Sequence, residues 1–304
     1  MSNALAKLAQ SLAERRTPNG GFASAPGAAA DTESSALTWL ALRALGDEAG
    51  ASAQGASAWL EARQRADGAW PLTDAVDEPS WASAWAALAL ARHEAGAEPL
   101  ARATSWLVAR EGRRLGFLAR VYSKLTNPCA RVEQDQMLRG WPWHAAAVSW
   151  VEPTASALLA LRVLSTRVSV AAADERIREG ERLLWDRMCV NGGWNYGNRS
   201  TLGVALHPFP DTTALALLAL QGSAQREALA RSCDVLEGLL DAHASSLALA
   251  LATLAFELQG RGAASLRERL AARIQQVGPP VETRSVAFGL LALGAGAELL
   301  RVPS

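Results

Sequence analysis

The chain has 304 residues, with 30 Lys+Arg against 30 Asp+Glu and half of its residues hydrophobic. That balance supports a large buried core and excludes a disordered chain, a collagen-like repeat and a polycationic nucleic-acid binder. Cys129, Cys189 and Cys233 stand far apart with no CxxC pair, so a disulfide framework is not expected and a reducing, cytoplasmic setting is.

From the start, Met1 to Arg16 show no uninterrupted apolar stretch and no small-residue cleavage pattern, so no signal peptide is expected. The longest apolar run, Val286 to Ala297, is well short of the ~18 residues of a membrane-spanning helix. Length alone would suggest about two domains of roughly 150 residues. The internal pattern argues instead for one domain over 1–304, made of six similar units.

In chain order, the first segment of each unit is Leu5–Arg15, Ser52–Arg63, Pro99–Arg110, Asp174–Arg187, Gln225–Leu240 and Ala263–Gln275. Each carries a charged stripe opposite an apolar one, as in Glu175, Arg178, Glu179 and Arg182 against Ile177, Leu183 and Leu184. That is the pattern of a surface helix with one face on the core. The second segments are Ser34–Leu45, Ser80–Ala91, Thr154–Leu164, Thr212–Leu220, Ser245–Phe256 and Thr283–Leu293. They open on a small hydroxyl or an acid and continue as Ala/Leu-rich helix formers, apolar around most of the circumference. Polar-faced helices alternating with apolar ones predict an inner ring inside an outer ring, an all-α (α/α)6 toroid. No segment shows sustained period-two alternation, so no sheet is expected.

The turns between segments carry the eleven tryptophans' most regular pattern. Trp59-Leu60-x-x-x-Gln64-x-x-Asp67-Gly68-x-Trp70 resembles the QW repeat of triterpene cyclases. Asn191-Gly192-Gly193-Trp194-Asn195-Tyr196-Gly197 resembles its GGWxYG variant, without the preceding Gln. Asn19-Gly20-Gly21-Phe22 and Gly140-Trp141-Pro142-Trp143 are similar to weaker copies, and the last two units have lost the motif. The resemblance points to the superfamily of squalene-hopene cyclases, oxidosqualene cyclases and protein prenyltransferase beta subunits. It implies that such turns tie outer-helix ends to the next turn, which gives Trp59, Trp70 and Trp106 a structural reading.

In a toroid of this kind the resemblance implies functional groups at one end, where the inner helices begin. Acids stand at those starts: Asp31 and Glu33, Asp77 and Glu78, Glu152, Asp211, Asp241 and Glu282. Helix N-termini stabilise carboxylates, so most of these read equally as caps. Asp211 is the exception, because Phe209-Pro210-Asp211-Thr212-Thr213-Ala214 resembles the proton-donor segment of both cyclase groups. Squalene-hopene cyclases carry DxDDTA there, whereas Phe209 and Thr212 stand where flanking acids would be. The arrangement is closer to the DCTA of oxidosqualene cyclases, whose single Asp is activated by hydrogen-bond donors.

The activity so implied is proton-initiated cyclisation of an isoprenoid chain, with Asp211 as general acid and Glu152 beside it. Protonating an alkene needs a carboxyl that is still protonated, and aromatic faces hold the resulting cation without attacking it. Trp81, Trp143, Trp150, Trp194, Tyr196 and Phe209, with Phe22 and Trp141, are placed near the cavity mouth as lining, and each reads alternatively as core. His207 or His144 would supply a hydrogen bond to Asp211. No cofactor is expected, and no zinc site: no Cys occupies an inner-helix start, and His93, His144, His207 and His243 form no tetrahedral set. No phosphate loop or DDxxD-type motif is present.

Between Glu111 and Arg139 the repeat is interrupted. Leu118, Val121, Tyr122 and Leu125 share one helical face, with Arg120 and Lys124 on another. Three readings stand side by side for 113–125: a peripheral contact with an anionic membrane, a loop-helix packed on its own domain, or a flap whose arginines meet a diphosphate. Familiar triterpene cyclases place the active site between two toroids, and this chain is long enough for one. A non-catalytic lipid- or protein-binding toroid, or a prenyltransferase-like subunit completed by a partner chain or a homodimer, is therefore the alternative reading.

Overall fold

The computed structural model describes residues 2–46, 50–93, 95–114, 134–201 and 203–303. Twelve α-helices follow one another among these residues. They are α1 (Ser2–Ala13), α2 (Thr32–Ala44), α3 (Gly50–Arg63), α4 (Ser83–Arg92), α5 (Ala97–Ala109) and α6 (Val151–Leu164). The second half continues with α7 (Ala173–Arg187), α8 (Pro210–Ala219), α9 (Arg226–Leu239), α10 (Ser246–Leu258), α11 (Ala264–Val277) and α12 (Thr283–Leu293). A 3-10 turn covers Gly296–Leu300. One departure from the all-α expectation is a two-residue hairpin, β1 (Ser200–Thr201) with β2 (Val204–Ala205). The segment expected to form an amphipathic helix, 113–125, lies outside the described residues from 115 onward.

The even-numbered helices form the inner ring: α2 packs on α4, α4 on α6, and so on through α8, α10 and α12 back to α2. Each outer helix lies on the inner helix that precedes it, and α1 lies on α12, which closes the circle. Alanine makes this ring possible. Ala36, Ala86, Ala87, Ala160, Ala216, Ala250 and Ala287 are fully buried, and small side chains let neighbouring backbones approach closely. Helix starts are set locally, with Asp31 accepting from the Ser34 N–H and Ser245 from the Ala248 N–H. Helix α6 begins at Val151, three residues before the expected start, because Pro153 falls in its first turn, where no amide donor is needed.

The turns that precede the inner helices repeat one device. The backbone N–H of the turn aromatic donates to a hydroxyl in the first turn of the inner helix: Phe22 to Ser35 (2.9 Å), Trp70 to Ser83 (2.9 Å), Trp141 to Thr154 (3.0 Å) and Trp194 to Thr213 (2.9 Å). Each indole N–H then reaches back to the outer helix: Trp70 to the Leu60 carbonyl, Trp141 to Leu107 and Trp194 to Leu184. Gln64 extends the tie, donating to the Pro99 carbonyl at 2.8 Å. Gly68 makes this turn at φ +92°, and any side chain there would collide with the Arg102 carbonyl. Burying an indole with its N–H satisfied gives large apolar area at no polar cost.

The third turn carries an additional anchor that the motif did not announce. Arg176 of α7 is 1% exposed, and its guanidinium lies 3.5 Å from the Trp141 ring centre. It donates to the carbonyls of Arg110, Arg139 and Gly140 at 2.9 Å each. Burial pushes its pKa down to about 10. The cation thus ties the residue after α5 to the turn that carries Trp141.

At the C-terminal end of the inner helices the barrel is closed by the 3-10 turn. Arg92 at the end of α4 donates to the Leu299 carbonyl, and Gln221 after α8 donates to that of Leu300. The opposite end, where the inner helices start, is the end that carries polar groups.

Candidate functional site

The repeated turn places one side chain per unit at this open end. Two residues before the hydroxyls Ser35, Ser83, Thr154 and Thr213 stand Glu33, Trp81, Glu152 and Asp211. Hydroxyl and turn face outward to each other, so this position starts the stripe that faces the ring axis. One helical turn deeper on the same stripes lie Trp85 after Trp81 and Phe288 after Arg284.

Trp85 and Phe288 define the floor. Their ring centres are 5.6 Å apart at 74°, although α4 and α12 are separated in the ring by α2. Two non-adjacent inner helices meet only across the interior, and both rings are at most 2% exposed. The aromatic-lined central cavity expected from the sequence is therefore closed at this depth. Ala-rich helices bring the walls close, and two rings suffice to fill the span. What remains is a shallow well above the floor.

In the well, Arg284 of α12 is ion-paired with two carboxylates. Its guanidinium is 3.3 Å from Glu33 on the neighbouring α2. It also pairs with Glu152 on α6, which faces α12 across the ring. The three side chains keep 19%, 15% and 14% exposure, so the pairs are largely but not wholly withdrawn from water. Asp211 completes the set from α8, beside α6. Its Oδ1 is buried without a hydrogen-bond partner, as is Arg284 Nε, whereas Glu33 Oε1 and Glu152 Oε1 are the oxygens that face the guanidinium.

This setting shifts Glu33 and Asp211 toward the protonated form. Glu33 is raised to about 7, chiefly by burial and further by the charges of Glu152, Asp31 and Glu282, against the pull of Arg284. Asp211 is raised by burial and by Glu152, again opposed by Arg284. Arg284 itself stays firmly cationic, because the three carboxylates outweigh its own desolvation. Asp31 is raised by burial, but it serves as the α2 cap and bonds Ser34. Asp77 and Glu78 are exposed, Asp77 pairing with Arg65. Asp241 caps its own turn by accepting from the His243 N–H.

The expected aromatic residues divide into two groups. Trp81 and Trp143 stand edge to face with centres 4.8 Å apart, and Tyr196 and Phe209 lie 5.3 Å apart. Trp143, Trp150 and Tyr196 share an open recess with Val148 and His144. Tyr196 and Phe209 are about half exposed, at 50% and 46%. Backbone contacts bind this rim to the well, since the Tyr196 carbonyl accepts from Val151, one residue before Glu152, and Phe209 directly caps α8. Trp194 stands apart from the rim, 0% exposed and bonded to α7, and Phe22 and Trp141 are also core. His207 and His144 are exposed, and neither donates to the unpartnered Asp211 Oδ1.

Arg284 was not among the residues expected here. Reading Thr283 only as a helix start hid it, and the last repeat has no turn aromatic to set the register. The signal that reveals it is its place one turn before Phe288. Among the described residues, no three His, Cys, Asp or Glu side chains form a metal-ligand group. None of the described helices is long and apolar enough to cross a membrane.

No protein-family model and no curated protein matches the chain. Solved structures do. A protein from Actinoplanes is similar at TM-score 0.64 and 15% identity, over 98% of this chain and 99% of its own. An α-1,6-mannanase of Salegentibacter, in complex with α-1,6-mannotriose, is similar at 0.63 and 11%, over 98% and 99%. The type II terpene cyclase MstE from Scytonema, with its substrate geranylgeranyl dihydroxybenzoate, is similar at 0.62 and 15%, over 98% and 97%. These likenesses define the fold as the toroid shared by a terpene cyclase and a mannanase. At such identities they carry the fold and nothing finer.

Proposed function

We propose that the chain is a terpene cyclase-like enzyme of the proton-initiated, type II kind, acting on an isoprenoid chain held between the well and the aromatic rim. The observation that carries this reading is Asp211, a carboxyl raised by burial whose Oδ1 has no bonding partner, one helix from Glu152 and two residues from Phe209. An acid in that state still carries its proton near neutral pH, and it forms no competing salt bridge.

In the first step the Asp211 O–H bond breaks, a C–H bond forms at one alkene carbon, and the π pair is consumed. The cation left on the other carbon is attacked by the next double bond, and so on along the chain. Trp81, Trp143 and Phe209 supply ring faces that attract each cation without adding to it. In the last step a C–H proton is lost to a carboxylate of the well. Glu152 serves as that base, and passing the proton to Asp211 restores the starting state. The shallow floor at Trp85 and Phe288 confines the chain to the mouth of the ring.

A second reading, hydrolysis of a glycosidic bond, is favoured by one feature. Glu152 is paired with a cation while Asp211 is not, and two carboxyls in unlike settings also suit acid–base hydrolysis.

One assay separates them. Native protein and Asp211→Asn are incubated with polyprenyl diphosphates, geranylgeranyl aryl compounds, squalene and α-1,6-mannooligosaccharides, and products are identified by mass spectrometry. Cyclised isoprenoids from the native protein, reduced about 100-fold or more in Asp211→Asn, support the first reading. Release of shorter sugars with no cyclised product replaces it with the second.

A further inference from the structure

We propose that Arg284 is a positioning residue that selects the proton donor: by pairing with Glu152 across the ring and with Glu33 beside it, it leaves Asp211 as the well's unpaired carboxyl. The inference rests on the reading of Asp211 as the acid, and it names the device that makes it so.

The geometry gives Arg284 no equivalent. It is the only cation within ion-pair distance of these carboxylates among the described residues. It comes from the helix diametrically opposite α6, so its pair with Glu152 spans the interior directly above Phe288, whose ring centre is 6.0 Å from its guanidinium carbon. A guanidinium is planar and forked, and its two terminal nitrogens meet two different carboxylates here, Nη1 toward Glu33 and Nη2 toward Glu152. With both terminal nitrogens so engaged, none is within ion-pair distance of Asp211. Were Asp211 paired instead, its proton would be held off by the cation, and the carboxyl next to Phe209 would be ionised.

All charged groups that face the set enter the balance. Asp211 feels Arg284 and Glu152; Glu33 feels Arg284, Glu152, Asp31 and Glu282; Arg284 feels Glu33, Glu152 and Asp211. The arrangement therefore makes two opposed predictions. Removing the cation favours the proton on Asp211. Removing Glu152 frees Arg284 to turn to Asp211 and favours its loss.

The test is a carboxyl carbon NMR titration of labelled Asp and Glu in native protein, Arg284→Met, Arg284→Lys and Glu152→Gln, with Asp211 assigned by Asp211→Asn. Arg284→Met moves the Asp211 midpoint up by about one pH unit, and Glu152→Gln moves it down by a similar amount. Arg284→Lys, a point charge that reaches one partner, gives a smaller rise. Should Arg284→Met fail to fold, Arg284→Lys and Glu152→Gln decide the matter. An Asp211 midpoint unmoved, or moved in the same direction by both substitutions, overturns the proposal. This readout needs no turnover: shifted midpoints without any cyclised product uphold the role of Arg284 and discard the cyclase reading.

Discussion

The first four hairpins and the last two solve the same packing problem by different means. From α1 to α8, an aromatic in each turn is tied to the inner helix by its amide and, where it is tryptophan, to the outer helix by its indole. From α9 to α12 those ties are gone. Ser245 caps α10, and Thr283 instead donates to the carbonyl of Ala23, joining the end of the ring to its beginning. The repetitive part fixes where the axis-facing position falls, and so where Glu33, Trp81, Glu152 and Asp211 lie. The irregular part supplies what the repeat lacks, a cation at that level. Structure comes from the regular part and charge organisation from the departure.

Substitutions can break the contrast at points of decreasing cost. Trp194→Ala empties a fully buried site among the four tied hairpins and strands its partners, and should cost about 3–5 kcal/mol in denaturant unfolding. The rim residue Trp143 serves as its control, since Trp143→Ala should leave stability within about 1 kcal/mol. A smaller loss in Trp194→Ala than in Trp143→Ala would mean that the turns do not carry the fold.

Glu33→Gln tests the well through pH. The native carboxyl sits at about 7 against 4.5 when free, so the folded state holds the proton more tightly than the unfolded one. Its contribution is complete below pH 4.5 and is lost as pH rises through 7. The shift corresponds to about 3 kcal/mol as an upper figure. Melting curves of the native protein should therefore fall in Tm between pH 5 and 8 more steeply than those of Glu33→Gln. Parallel curves would show Glu33 to be open to water. Smallest is Ser245→Ala, which removes the α10 cap and should cost about 1 kcal/mol, with no effect on any activity.

Much of this was legible in the residues. Period and polarity alone separate inner from outer helices, and α12 runs over Thr283–Leu293 as its pattern predicts. Helix starts were less legible: α4 begins at Ser83 rather than Ser80, because Ser80 bonds the Trp70 carbonyl and spends three residues in a turn. Asp211 and Glu152 could be picked out because acids at helix starts near a DTTA-like segment are chemically suggestive. Arg284 could not, since a lone arginine after a threonine reads as surface until the ring closes around it. Nor could the depth of the hollow. Whether Trp85 lines a cavity or fills it depends on Phe288, about two hundred residues away in sequence, and no local pattern contains that meeting. Trp194 shows the same limit from the other side, because its indole can face the mouth or the outer helix with equal local propriety.

The most direct measurement sets two neighbours against each other. Asp211 and Thr213 are two residues apart, one an unpartnered acid of the well and the other the tie for Trp194. Product formation and unfolding free energy are measured for Asp211→Asn and Thr213→Ala side by side. The account predicts that Asp211→Asn abolishes cyclised product while keeping or raising stability, and that Thr213→Ala keeps product formation while losing about 1–3 kcal/mol. Undiminished product from Asp211→Asn would contradict it.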